Sequence, residues 1–296
     1  MASTMKVIPV ACLADNYAYL VVCEATGACA VVDPSEEGPV VRALDSAKLT
    51  PLAIWNTHHH PDHTGGNEAV VARYAIENVT GYVSDKGRIP GQTRFAESGE
   101  RFKLGELDVE VSHIPGHTLG AIAYTVRAKD GTVAVFTGDT MFHAGCGRLF
   151  EGTPAQMHAS LQSILAIGDE VRVYPGHEYT VSNLRFAQSV EPSNGKVADA
   201  LAEAQALRAE NKPTVGTNLA RERETNPFVR TRSPEIRRSL SIAADADDVA
   251  ALAAIREAKN VFRGRALPVV LFVAAVRDVL RDGVPLATEE LLDRAP

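Results

Sequence analysis

Thr57-His58-His59-His60-Pro61-Asp62-His63 crowds imidazoles and a carboxylate into one short stretch just ahead of the pair Gly65-Gly66. Such crowding points to metal chemistry. Imidazole combined with carboxylate suits zinc, iron or manganese, whereas calcium and magnesium sites are built from oxygens. The apolar run at 52–55 predicts a buried strand, so the ligands sit on the loop leaving its carboxyl end, where α/β proteins place their sites.

The same signal recurs downstream. His117 lies in Ile114-Pro115-Gly116-His117-Thr118, Asp139 in Phe136-Thr137-Gly138-Asp139-Thr140 and His177 in Tyr174-Pro175-Gly176-His177-Glu178. Each follows an apolar run and a glycine, and strands ending at one sheet edge bring such residues together. One edge can therefore collect His58, His60, Asp62, His63, His117, Asp139 and His177. His59 should project away from its neighbours, and His113, His143 and His158 read as structural or exposed. Seven ligands exceed what one tetrahedral zinc takes, which favours two ions with Asp139 as a bridge. Water between two cations about 3.5 Å apart ionises readily, because a single zinc already brings a bound water to a pKa of about 7. Asp62 and Asp139, with that bridging hydroxide, are the candidate catalytic groups, and hydrolysis of an acyl compound is the natural reaction.

The 296 residues, 45% hydrophobic, are enough for a large core and two domains. Strands are expected at 6–10, 17–23, 28–33, 51–56, 79–84, 108–114, 121–127, 132–137 and 171–174, with helices at 38–47, 67–74 and from the Thr153-Pro154 cap to 167. This describes a layered α/β domain at 1–185. Helical patterns at 197–211, 218–224, 234–240 and 247–259 describe a helical domain at 186–263, and 264–296 form an extra tail with two more helical candidates. The apolar run at 266–276 is shorter than the roughly 20 residues that cross a bilayer and reads as a core or subunit-contact helix. The amino terminus fits neither a signal nor a transit peptide, so a cytoplasmic location is expected. Cys12, Cys23, Cys29 and Cys146 show no metal or disulfide spacing and read as reduced thiols. A net charge of −7 argues against a nucleic-acid partner.

The motifs T-H-x-H-x-D-H, P-G-H-T, F-T-G-D-T and G-H-E-Y-T, in this order, resemble the metallo-β-lactamase fold superfamily. The stretches at 144–153, 177–186, 226–228 and 255–262 resemble more narrowly glyoxalase II, the hydroxyacylglutathione hydrolases. The resemblance implies an αβ/βα four-layer sandwich followed by a C-terminal α-helical domain. It also implies hydrolysis of S-D-lactoylglutathione to D-lactate and glutathione, the second step of methylglyoxal detoxification. By the family's pattern His58, His60 and His117 hold one divalent ion, Asp62, His63 and His177 the other, and Asp139 is shared, with zinc favoured over iron or manganese. Arg148, Tyr179, Arg256 and Lys259 match positions that contact glutathione. Arg256 and Lys259, three apart on a helix, share a face and can bond a dianionic tripeptide. The family pattern leaves monomer or homodimer open.

Phe150 departs from the tyrosine of some family members, which removes a hydroxyl and implies weaker thioester binding. The family pattern has no counterpart for the tail. Cys146 reads as a packed thiol in a tight turn rather than a nucleophile. The rival reading is an iron-dependent persulfide dioxygenase, which shares the ligand series but lacks a comparable helical domain. A secreted β-lactamase, a nuclease and an inactive binding module fit less well.

Overall fold

The structure, a computed structural model, describes residues 4–263. The helical candidates beyond 264 lie outside the described residues. Two sheets make the centre. The first has the order β1 (Met5–Cys12), β2 (Asn16–Cys23), β3 (Cys29–Val32), β4 (Pro51–Trp55), β5 (Asn78–Tyr82) and β6 (Arg94–Ala96). The second runs β13 (Arg172–Pro175), β10 (Val133–Gly138), β9 (Ile122–Arg127), β8 (Leu107–His113) and β7 (Arg101–Leu104). A small hairpin, β11 (Met141–Phe142) and β12 (Gly145–Cys146), follows β10.

Alternation along β2 shows why the sheets stack. All eight of its residues are buried, but they serve different cores. Tyr17, Tyr19, Val21 and Cys23 face the second sheet, packing with Val109, Val111, Tyr124 and Phe136. Ala18, Leu20 and Val22 face outward, toward Val40 and Leu44 of α1 (Glu37–Ala47) and Val70 of α3 (Asn67–Tyr74). The period of two thus feeds two apolar layers from one strand. On the far side α4 (Pro154–Leu165) packs Met157, Leu161 and Ile164 against Val135 and Val173. Thr153 closes a capping box with Gln156, which fixes where α4 starts. The result is the helix, sheet, sheet, helix layering of the expected fold.

The chain continues into α5 (Thr180–Val190), α6 (Gly195–Ala209), α7 (Leu219–Thr225), α8 (Pro234–Ser239) and α9 (Asp248–Val261). Their apolar faces join two cores. Phe186, Leu219, Phe228, Ile236, Leu252 and Ile255 extend the α4 layer, while Leu184 of α5 packs with Val197, Ala200 and Leu201 of α6.

Three differences from the sequence reading have local causes. Leu52, taken as part of a buried strand, is 57% exposed between buried Pro51 and half-buried Ala53, and only Ile54 and Trp55 of the run reach full burial. The strand expected at 79–84 stops at Tyr82, where residues Val83–Asp85 turn as one 3-10 turn. Helix α5 was not anticipated, although Thr180, Asn183, Leu184 and Ala187 are buried at helical spacing.

Candidate metal centre

The parallel pairs β3–β4 and β10–β13 end at the same edge of the two sheets and point their following loops into one space. Loop 56–60 and the one-turn helix α2 (Pro61–Thr64) leave β4. Asp139 follows β10, His177 follows β13, and His117 sits in the β8–β9 connection. The glycines at these exits are required by contact. Gly138 has φ of 49°, and a Cβ there would lie 2.3 Å from the Thr57 hydroxyl. At Gly176 a Cβ would lie 2.4 Å from Asp139 Oδ1 and 2.6 Å from the His63 ring. Any side chain at either position would displace a candidate ligand or its support.

All seven predicted residues meet here. His60 Nδ1 lies 3.1 Å from His58 Nε2 and 3.0 Å from His117 Nε2. His63 Nε2 lies 3.3 Å from His177 Nε2, and Asp62 Oδ2 lies 3.6 and 3.4 Å from those two atoms. Tetrahedral zinc at about 2.0–2.1 Å from each nitrogen separates its ligands by about 3.3–3.4 Å. Both triads are close to that spacing. Asp139 spans them: Oδ1 is 3.4 Å from His63 Nε2, and Oδ2 is 3.4 Å from His117 Nε2 and 3.3 Å from His177 Nε2.

Hydrogen bonds behind the rings decide which nitrogen is bare. His117 Nδ1 faces the Arg148 carbonyl at 2.9 Å, His177 Nδ1 faces Asp15 Oδ1 at 2.9 Å and His63 Nδ1 faces Asp33 Oδ2 at 3.0 Å. These partners only accept, so each Nδ1 carries the proton. The Thr57 hydroxyl gives its own proton to Asp33 Oδ2 at 2.6 Å and therefore accepts from His58 Nδ1 at 3.1 Å. In the neutral form that ligates, Nε2 is therefore the atom each of these four rings offers, and all four point into one space. Asp139 Oδ1, buried, has no hydrogen-bond partner. Four converging Nε2 atoms beside a carboxylate oxygen with no hydrogen-bond partner fit a site for divalent cations.

Electrostatics divide the two triads. Burial, reinforced by neighbouring imidazoles, pushes His58 below the usual histidine range and brings His60 down to about 4, while at His117 burial lowers it against the opposing pull of Asp139 and the Arg148 carbonyl. That triad is neutral and ready to ligate at pH 7. At His63 and His177 burial opposes protonation, but the surrounding carboxylates outweigh it, raising His63 and bringing His177 to about 11. Burial likewise raises Asp139, yet His63, His177 and His117 hold it at about 2. A cation entering the second triad therefore displaces protons.

The sequence reading passed over Asp33, Asp15 and Asn16. Asp33 follows the buried strand β3 as Asp139 follows β10, and its φ of 47° marks a strained exit. Its oxygens take the Thr57 N–H, the Thr57 hydroxyl and His63 Nδ1, which suits support of the rings more than ligation. The Asn16 amide bonds both Asp62 Oδ2 and the Asp62 carbonyl, at 3.0 Å each. His59 turns away from the triads, toward Asp85, Arg88 and Glu151.

On the helical side Tyr179 stacks on the His177 ring, centroids 4.7 Å apart at 5°. Arg256 is buried, donating from Nη1 to the Cys146 carbonyl at 2.7 Å, and lies over the Phe228 ring. Lys259 Nζ bonds the Ser182 carbonyl and hydroxyl at 3.2 Å. Burial, then the charges of Arg256 and Arg148, bring the Lys259 ammonium down to about 8. Among the described residues none of these three cations makes an ion pair. Phe150 is 62% exposed, its ring centroid 5.8 Å from His60 and 5.2 Å from His117. Cys146 is a buried thiol that burial pushes up to about 11, which suits packing rather than attack.

Residues 14–177 match the profile of the metallo-beta-lactamase superfamily, and residues 178–262 match the profile described as the hydroxyacylglutathione hydrolase C-terminus. The hydroxyacylglutathione hydrolase of Rhodospirillum rubrum is 44% identical over 88% of this chain and 100% of its own length. This chain belongs to the hydroxyacylglutathione hydrolase family. Solved structures place the fold in the same superfamily. ETHE1 from Myxococcus xanthus is 25% identical with a TM-score of 0.60, over 93% of this chain and 98% of that one. TTHA1623 in a di-iron-bound form is 26% identical with a TM-score of 0.52, over 75% and 99%. The match of residues 178–262 to the hydroxyacylglutathione hydrolase C-terminus, with relatives of that name along most of the chain, disfavours the persulfide dioxygenase alternative. No helix among the described residues is long and apolar enough to cross a membrane.

Proposed function

We propose that this hydroxyacylglutathione hydrolase cleaves S-D-lactoylglutathione to D-lactate and glutathione, using two divalent ions held by His58, His60 and His117 on one side and Asp62, His63 and His177 on the other. Asp139 is the shared ligand. The observation that carries this reading is the convergence of Nε2 atoms, each backed by a hydrogen bond at Nδ1, on a buried Asp139 carboxylate with one oxygen that has no hydrogen-bond partner. Bound ions of this kind supply the positive charge that ionises water near neutral pH and stabilises the oxyanion of a tetrahedral intermediate. The protein's own contribution is to fix the ligands: Asp33, Thr57, Asp15 and the Arg148 carbonyl hold the rings in one tautomer and one orientation. Glutathione leaves as a thiolate without a strong general acid, since thiols ionise at about pH 8.5.

We assign residues 186–263, joined by Arg148 and Tyr179, to recognition of the glutathione portion. Arg148, Arg256 and Lys259, within reach of each other's charge and without an ion pair among the described residues, suit an anionic ligand, and Arg256 and Lys259 share one face of α9. Zinc is the ion these ligands favour, and iron and manganese are accepted by the same set. The di-iron form of TTHA1623 supports a binuclear reading.

The test is hydrolysis of S-D-lactoylglutathione by purified protein, with metal content measured on the same sample. Turnover should disappear on chelation and return with two ions per chain. Undiminished thioester cleavage by stripped protein would overturn the proposal.

A further inference from the structure

Asp85, Arg88 and Glu151 form a charged cluster that none of the assigned roles uses. Asp85 is fully buried and lies where Gly120 leaves room, since a Cβ at 120 would sit 2.3 Å from its Cγ. Arg88 Nη1 reaches Asp85 Oδ1 at 3.5 Å, and Nη2 donates to Glu151 Oε1 at 2.5 Å and to His59 Nε2 at 2.6 Å. Because His59 Nε2 accepts from the guanidinium, its proton is on Nδ1, which faces Asp85 Oδ2 at 3.4 Å. Glu151 Oε2 accepts the Leu119 N–H at 2.7 Å.

The backbone around this cluster ends at one triad. His59 is covalently between His58 and His60. The N–H groups of Phe150 and Glu151 both donate to the His117 carbonyl, at 3.2 and 3.3 Å, and Gly152 N–H donates to Gly116. The adjacent Arg148 carbonyl takes the His117 Nδ1 proton. Two loops far apart in sequence are thus tied across a guanidinium. Among the described residues, no hydrogen bond or ion pair of the cluster reaches Asp62, His63 or His177.

We propose that Asp85, Arg88 and Glu151, with His59 docked among them, are positioning residues that clamp the loop carrying His58 and His60 to the loop carrying His117, and so set the metal affinity of that triad alone. The clasp rests on the reading of these three histidines as one ion's ligands. Partners of this kind behind a metal ligand are worth about 10–100-fold in affinity.

The experiment is competitive zinc titration of full-length, metal-stripped protein against a chelator, for wild type, Glu151→Ala and Glu151→Gln. Glu151→Ala should weaken one of two binding steps by about 10–100-fold and leave the other unchanged, with the milder Glu151→Gln between it and wild type. In a His177→Ala background the weakening should persist, and in a His117→Ala background it should vanish. Thermal unfolding of the stripped proteins should coincide, which a general loss of fold would not allow. If Glu151→Ala does not fold, Glu151→Gln alone must show the one-step shift. Two unchanged steps, or equal weakening of both, overturns the clasp. A wild type that binds fewer than two ions per chain sinks the ligand assignment instead.

Discussion

Asp139 is the residue on which the metal reading turns, because its two oxygens lie within 3.4 Å of ring nitrogens from both triads while one oxygen has no hydrogen-bond partner. Supporting partners behind a ligand cost about 10–100-fold when removed, so loss of a shared ligand should cost more. Asp139→Ala is expected to lower kcat by more than about a hundredfold and to reduce bound metal per chain; a variant with wild-type rate refutes the bridging role. Lys259 gives a pH signature. Its ammonium, brought to about 8 by burial and by Arg256 and Arg148, is charged below that pH and neutral above it. If the charge binds a glutathione carboxylate, the interaction is complete below pH 8 and lost as pH rises through 8. The ratio kcat/KM, which reports the free enzyme, should therefore fall above about pH 8, and Lys259→Met should flatten that limb while lowering the plateau.

At the scale of elements, the ligands are placed by strand ends and by the glycines that let them approach. Gly176→Ala would put a Cβ 2.4 Å from Asp139 Oδ1 and 2.6 Å from the His63 ring, and neither can retreat in a packed site. A cost of about 1–3 kcal/mol in stability is expected from such overpacking. Metal content should drop with it, whereas Gly195→Ala, where a Cβ meets nothing within 4 Å, should change neither. Denaturant melts with metal analysis separate the two. Element boundaries were read unevenly. The capping pair Thr153-Pro154 marked the start of α4 to the residue because its signal is local, whereas the expected end at 167 overran Leu165. The end of β5 was misplaced because Val83 carries strand propensity but sits 40% exposed in a turn.

In the whole molecule, α9 is held against the sandwich by Arg256, whose Nη1 bonds the Cys146 carbonyl 110 positions away, and against α5 by Lys259 on Ser182. The two cations therefore separate on replacement. Lys259→Ala should raise KM with little effect on unfolding, while Arg256→Ala should raise KM and also destabilise, by about 1.5–3 kcal/mol for a charged hydrogen bond. Steady-state kinetics beside thermal melts test the split; an unchanged KM in both removes them from the substrate site. Glu178 adds a second tie, accepting from the Tyr17 hydroxyl at 2.8 Å and from the Thr214 N–H and hydroxyl at 3.0 and 2.6 Å.

The sequence by itself determined which residues can ligate, since imidazole and carboxylate chemistry and the glycine before each of His117, Asp139 and His177 are written locally. It also determined the α/β layering, because strand and helix periods are local patterns. Only the tertiary structure decided the supporting roles of Asp33, Asp15, Arg88 and Glu151, and the exposure of Leu52. A lone acid or arginine carries no periodicity, and what it bonds depends on which distant segment the fold lays against it. His59 shows the same limit: the sequence turned it away from the triads, and only the packed loops around Asp85 and Glu151 gave it partners.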